Sequence, residues 1–154
     1  MIVFDVEASG LSKESYPIEI AWQDSSDPIR FDTFLIKPVN TWVYWDEYAE
    51  KEIHHISRAS ILREGISIAD ACVRLNNALV GKTIYSDAIE YDQRWVLKLF
   101  NEAGIKPKFS FGSIYEIVEK ESIQHFESTI EHDHVVHRAL DDVRQIIRLL
   151  FPNR

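Results

Sequence analysis

Asp5 and Glu7 stand two residues apart in the opening run IVFDVE. On an extended strand that spacing puts both carboxylates on one face, while Phe4 and Val6 turn to the opposite layer. Two acids side by side repel, and on a strand otherwise fit for burial the arrangement is costly unless a cation or water offsets it. The plainer alternative is a solvated face of an edge strand. Three more candidates lie far along the chain. Asp92 opens one helix-patterned segment and Asp142 lies in the first turns of another, positions that equally suit an acid complementing a helix dipole. His137 stands at the entry to that last helix, where a histidine is commonly a surface or packing residue, although its imidazole titrates near neutral pH.

The elements that must position these groups follow from pattern. Residues 2 to 7 alternate as a strand, and Ser9-Gly10 breaks the alternation. Apolar stretches from Tyr16 to Gln23 and from Ile29 to Lys37, separated by Asp24-Ser25-Ser26-Asp27-Pro28, predict an antiparallel hairpin. The section from Trp42 to Ile66 reads only as short helices and loops. Ile68 to Val80 has helical spacing and meets Gly81 as its stop; Thr83 to Tyr85 is a short strand. Trp95, Val96, Leu99 and Phe100 mark a helix over 91–103 that ends at Gly104, and Leu140, Val143, Ile146, Ile147 and Leu150 mark a terminal helix over 138–151. Strands first, then helices interleaved with further strands, predict an α/β fold with a mixed sheet flanked by helices.

Composition bounds what such a fold can do. The 154 residues, 45% hydrophobic and 12% aromatic, suit one domain spanning 1–154. The single cysteine, Cys72, excludes an internal disulfide framework and a multi-cysteine zinc site, and reads as a small buried residue. No apolar run is long enough to span a bilayer, and Asp5 interrupts the amino terminus before a signal-peptide core develops, so a cytoplasmic protein is expected. A net charge of −8 argues against broad wrapping of a long duplex, which relies on many basic contacts to phosphate. A short single strand held at its end does not need that surface.

Taken in order, FDVEASGL from Phe4, IHHIS from Ile53, YDQRWVLKLF from Tyr91 and HRALDD from His137 resemble the DEDDh, or DnaQ-like, 3′-to-5′ exonucleases over nearly the whole chain. The spacing of five from His137 selects Asp142 over Asp141. The resemblance implies the ribonuclease H-like mixed sheet, with the first three strands antiparallel and the later ones parallel. It implies that Asp5, Glu7, Asp92 and Asp142 hold two Mg2+ or Mn2+ ions and that His137 is the general base, releasing nucleoside 5′-monophosphates. Hard divalent cations prefer oxygen ligands, and a pair of them about 4 Å apart suits an in-line displacement at phosphorus. It further implies that Ser9, Gly10 and Leu11 lie along the terminal nucleotide, although a plain turn with one core leucine accounts for them equally. His54 matches the histidine of the family's second motif, and His55 stands where that family usually has a small residue. Where many relatives carry His-Asn ahead of Asp92, this chain has Asp87 and Ala88; Asp87 either adds a carboxylate near the metals or caps a local turn.

Further candidates are weaker. Trp42, Tyr44, Trp45 and Tyr48 suit base stacking or, more commonly for large aromatics, core or dimer packing. Arg58, Arg94, Lys98 and Arg138 are candidates for phosphate contacts. His132, His134 and His137 form a histidine-rich stretch that transition metals favour, with no cysteine to support it. The expected partner is a single-stranded 3′ end, RNA slightly ahead of DNA, and a homodimer is compatible with the apolar surplus. Two other classes carry the same residues: a binding module that has lost catalysis, and a two-metal endonuclease, in which the pairing of His137 with Asp142 has no obvious role.

Overall fold

Strand β1 (Ile2–Ala8) divides its side chains as the alternation requires: Ile2, Phe4 and Val6 enter one apolar layer, and Val3 enters the other. The computed structural model describes residues 1–118, 126–128 and 138–153 of the chain. Strands β2 (Pro17–Asp24) and β3 (Asp27–Leu35) follow β1 antiparallel, and β4 (Thr83–Ser86) and β5 (Ser110–Ser113) add in parallel on its other side. The sheet order is β3-β2-β1-β4-β5, which puts β1 and its acids in the centre.

The hairpin turn is tighter than the sequence suggested. Asp24 pairs with Asp27 in the sheet, leaving only Ser25 and Ser26 in the bend, and the Asp24 carboxylate accepts the Ser26 N–H at 3.0 Å and its hydroxyl at 2.7 Å. Pro28 therefore lies inside β3. It is tolerated there because β3 is an edge strand, where a missing N–H breaks no ladder. Strand β5, SFGS, has no long apolar run to announce it. Gly112 is fitted to its neighbour: a Cβ would come within 2.6 Å of the Tyr85 ring.

Helices on both faces complete the described fold. The 42–66 section forms α1 (Glu47–Ala49), a π-helical turn over Glu50–His54 and α2 (Arg58–Glu64). Helix α3 (Ile68–Leu79) and helix α4 (Ile89–Ala103) match the predicted periodicities, and Gly104 ends α4 at φ +67°. Helix α5 (Ala139–Leu150) is the expected terminal helix. Helices α3 and α4 cover one sheet face, where Phe4, Ile18, Ile20, Trp22, Leu75, Leu79, Trp95, Leu99 and Phe100 form the larger core. Each such side chain withdrawn from water contributes roughly 1.5–3 kcal/mol. Helix α5 covers the other face with Ala139, Val143, Ile146 and Ile147 against Val3 and Ala21. Cys72 is buried in the larger core, and burial pushes its thiol up to about 12, so it packs as a small apolar residue. No helix among the described residues is long and apolar enough to cross a membrane.

Candidate functional site

Because Val3, Asp5 and Glu7 share a face, the two acids project toward α5, as the strand periodicity predicts. Asp142 comes down from the first turn of α5 to meet them, and one oxygen from each of Asp5, Glu7 and Asp142 lies within 4.8 Å of the others. A second group shares Asp5: oxygens of Asp5, Asp87 and Asp92 also lie within 4.8 Å of one another. Four acids from opposite ends of the sequence thus converge, and Asp87 joins them. His137 lies outside the described residues, as do His132 and His134.

The positioning devices are local. Helix α4 begins at Ile89, two residues earlier than the periodicity indicated, so Asp92 stands at the end of its first turn. Ser86 closes β4, donates its hydroxyl to Asp92 Oδ2 at 2.5 Å and accepts the Ala88 N–H at 2.9 Å. It therefore orients the carboxylate and ties the strand-to-helix turn at once. On the α5 face of the sheet, Glu19 of β2, directly across from Glu7, is 3% exposed. Its carboxylate accepts the N–H of Ala139 at 2.9 Å and forms a two-pronged ion pair with the Arg138 guanidinium. A side chain from the sheet thus caps α5, whose own N-cap residue, Arg138, makes no side-chain capping bond. Glu19 and Ser86 were invisible to motif reasoning. Only the oddity of an acid in the otherwise apolar run PIEIAW signalled the first.

The electrostatics are those of acids crowded in a dry place. Burial, with Asp92, Glu7, Asp142 and Asp87 adding their repulsion, holds the Asp5 carboxyl well above its ordinary range. Burial and then the Asp142 charge push Glu7 up to about 9. Burial raises Asp92 to about 8 against the opposing Ser86 hydrogen bond, and burial raises Asp87 as well. Asp5 Oδ2 is sealed from solvent and has no hydrogen-bond partner among the described residues. A buried, unpartnered carboxylate oxygen among further carboxylates fits a hard divalent cation, whose charge offsets the repulsion and whose preference is for oxygen.

A cleft of about 310 Å3 opens over the acids, lined by Asp5, Glu7, Asp92, Leu11, Tyr48 and Ile53 among others. Leu11 is 68% exposed, which excludes a core role. Gly10 lines the cleft too, and its lack of a side chain is required by packing: a Cβ would sit 2.9 Å from the Tyr44 ring and 3.0 Å from Asp46 Cβ. Ser9 is fully buried. Its N–H donates to the Tyr16 carbonyl, its carbonyl accepts from Asp46 and its hydroxyl accepts the Tyr16 N–H, so it ties the loop rather than lining the cleft. His54, on the π-helical turn, lines the cleft and accepts the Ile56 N–H at Nδ1 (2.9 Å), which assigns the ring proton to Nε2. Burial lowers its pKa to about 4, so the ring is neutral, and Nε2 has no partner among the described residues. His55 ends that turn at φ +54°, the left-handed region, which explains why a small residue suits the position.

Most of the other candidates have structural duties. Trp42 is buried and stacks on Tyr16; Trp45 meets the His54 ring edge-on and donates to Glu50. Tyr44 packs against Gly10, and of the four aromatics only Tyr48 lines the cleft. Arg58 binds the Tyr16 hydroxyl and the Trp42 carbonyl, Lys98 the Ser15 carbonyl, and Arg138 is held by Glu19. Arg94 lies over the Tyr91 and Trp95 rings and is exposed, which leaves it available to phosphate.

Solved structures share this architecture. Exonuclease I from Methylocaldum szegediense aligns with a TM-score of 0.73 at 18% identity, covering 99% of this chain and 40% of that one. E. coli exonuclease I in complex with a dA16 oligonucleotide aligns at 0.72 and 14% identity, covering 99% of this chain and 41% of its own. The zinc-ion-bound form of the E. coli exonuclease I complex with single-stranded DNA aligns at 0.71 and 15%, covering 99% and 40%. The chain spans about two fifths of the length of these proteins, and at such identities the likeness establishes the fold: the expected ribonuclease H-like mixed sheet. No family model matches the sequence, and no curated protein matches it.

Proposed function

We propose that this chain is a divalent-metal-dependent 3′-to-5′ exonuclease that shortens single-stranded nucleic acid to nucleoside 5′-monophosphates. The observation that carries the reading is Asp5 itself: one carboxylate common to two acid triads, with an oxygen sealed from water and unpartnered. Asp5, Glu7, Asp92 and Asp142 would hold Mg2+ or Mn2+, which supplies charge stabilisation for an in-line displacement at phosphorus when bound. Ser86 and the Glu19–Arg138 pair keep the acids of α4 and α5 at that centre. His137, the covalent neighbour of Arg138, takes the proton of the attacking water in this reading, a role that rests on the family resemblance. His54 is unsuited to it, because a ring whose pKa lies near 4 is a poor base at neutral pH. Its Nε2–H serves instead as a fixed donor to the terminal nucleotide.

The walls of the cleft suit a base rather than a helix of duplex. Leu11, Tyr48 and Ile53, all exposed, stand beside the acids. Stacking on such surfaces contributes roughly 1–3 kcal/mol per base and needs no particular sequence. The E. coli exonuclease I structures hold single-stranded DNA, so DNA stands beside RNA as the substrate to be compared.

The test is end-dependence. End-labelled RNA and DNA oligomers, with Mg2+, with Mn2+ or with chelator, are expected to shorten stepwise from the 3′ end only when metal is supplied, while circular single strands survive. Cutting of circles indicates the endonuclease instead, and binding without cutting indicates a module that has lost catalysis. Asp5→Ala is expected to abolish turnover, and His137→Ala to slow it by about 100-fold or more while retaining metal. Full activity in either variant defeats the assignment.

A further inference from the structure

We propose that Asp87 is a direct cation ligand, forming with Asp5 and Asp92 a three-carboxylate position that is loaded before any nucleic acid arrives. The inference rests on the metal-dependent reading above and adds to it a fifth acid, at a position where the resembling family carries a histidine.

Three observations carry it. First, an oxygen of Asp87 lies within 4.8 Å of oxygens of Asp5 and of Asp92, the same closeness that joins Asp5, Glu7 and Asp142. Secondly, the unpartnered Asp5 Oδ2, shut off from solvent, belongs to the residue that both triads share, so it lacks a positive partner at the very point where the two groups meet. Thirdly, the alternative duty of Asp87, capping the turn between β4 and α4, is already performed. Ser86 accepts the Ala88 N–H in that turn and orients Asp92, and among the described residues the Asp87 carboxylate engages only its own backbone N–H. A carboxylate left out of the local hydrogen bonding, yet held against two buried carboxylates, is destabilising in the free protein unless a cation joins them.

The chemistry follows from ligand count. An ion held by one protein carboxylate leans on substrate phosphate to complete its shell, so it comes and goes with substrate. An ion held by three carboxylates carries enough protein charge to remain in place alone. The two triads together offer five carboxylates to two divalent ions, leaving the loaded centre with one residual negative charge.

Counting Mn2+ without substrate tests this, using electron paramagnetic resonance of free Mn2+ and titration calorimetry on the intact chain. The unaltered protein is expected to take up two ions. Asp87→Asn, which keeps the shape and removes the charge, is expected to lose one of them or bind it at least tenfold more weakly, with the other not weakened; Asp142→Asn weakens the other ion instead. Asp87→Glu, which restores the charge, is expected to recover part of the loss, and a melting curve in chelator confirms that each variant is folded. Two ions of unaltered affinity in Asp87→Asn overturn the role of Asp87 and leave the metal-dependent reading standing. A single ion that Asp87→Asn leaves unaltered overturns the preloaded position, and no ion at all overturns the metal-dependent reading itself.

Discussion

At the scale of single residues, protonation governs the centre. Glu7 near 9 and Asp92 near 8 lie well above the ordinary carboxylate range, both chiefly through burial, so at neutral pH the metal-free protein retains protons that an ion must displace. Calorimetry at about pH 7 in buffers of different ionisation enthalpy is therefore expected to register roughly one or more protons released per ion bound. Uptake without release runs against the site as described. His55 supplies a second test. A side chain at φ +54° is strained by roughly 1 kcal/mol, so His55→Gly is expected to leave the fold intact and to raise its stability by no more than about that amount in urea denaturation. The strand alternation made Asp5 and Glu7 legible in the sequence, and the helical spacing brought Asp142 to the right end of α5. Asp87 was legible only as a departure from a pattern, because a carboxylate one residue past a short strand has no periodicity to place it. Leu11, which the sequence left divided between core and cleft, was decided by its exposure.

Elements decide whether the acids meet. Helix α5 is docked by its apolar stripe and pinned at its start by Glu19, which reaches from the neighbouring strand to the Ala139 N–H and the Arg138 guanidinium. Glu19→Gln keeps the size but weakens both contacts, and is expected to cost about 1–3 kcal/mol of stability. Mn2+ binding at the triad containing Asp142 is expected to weaken beyond that general loss, while the position at Asp92, on the far helix, is spared. Equal weakening of both ions signals a purely structural role. None of this was legible in advance: PIEIAWQD reads as one continuous buried strand, and the partner of its acid lies more than a hundred residues away. The order of the larger elements was legible because their apolar periods are long. The π-helical turn at His54 and the four-residue β5 were not, since so short a segment takes its shape from the neighbours that cover it.

For the whole molecule the sign of the pH effect can be worked out. The carboxyls of Glu7 and Asp92 have folded pKa values raised above those of the open chain. Their contribution to stability is complete below the ordinary carboxylate range near pH 4 and is lost as the pH climbs toward 8 and 9. The metal-free protein is thus expected to melt at progressively lower temperature from about pH 5 to about pH 8.5, by roughly 2–4 °C for each kcal/mol lost in a chain of this size. Saturating Mn2+ is expected to reverse the trend, because ionised carboxylates bind it best. A melting temperature indifferent to pH and to metal contradicts the dry, crowded centre. Helix α4 lies on one side of the sheet and α5 on the other, so an ion at each proposed position would fasten its own layer to the central strand.

Sharing Asp5 between the two proposed positions would tie their occupancies together. Whichever ion settled first would claim part of the one carboxylate that, among the described residues, is common to both, and would set two positive charges beside the place its companion must enter. The pair should consequently fill in sequence, the second arrival meeting a diminished welcome, and any alteration of that one aspartate disables two seats at a stroke.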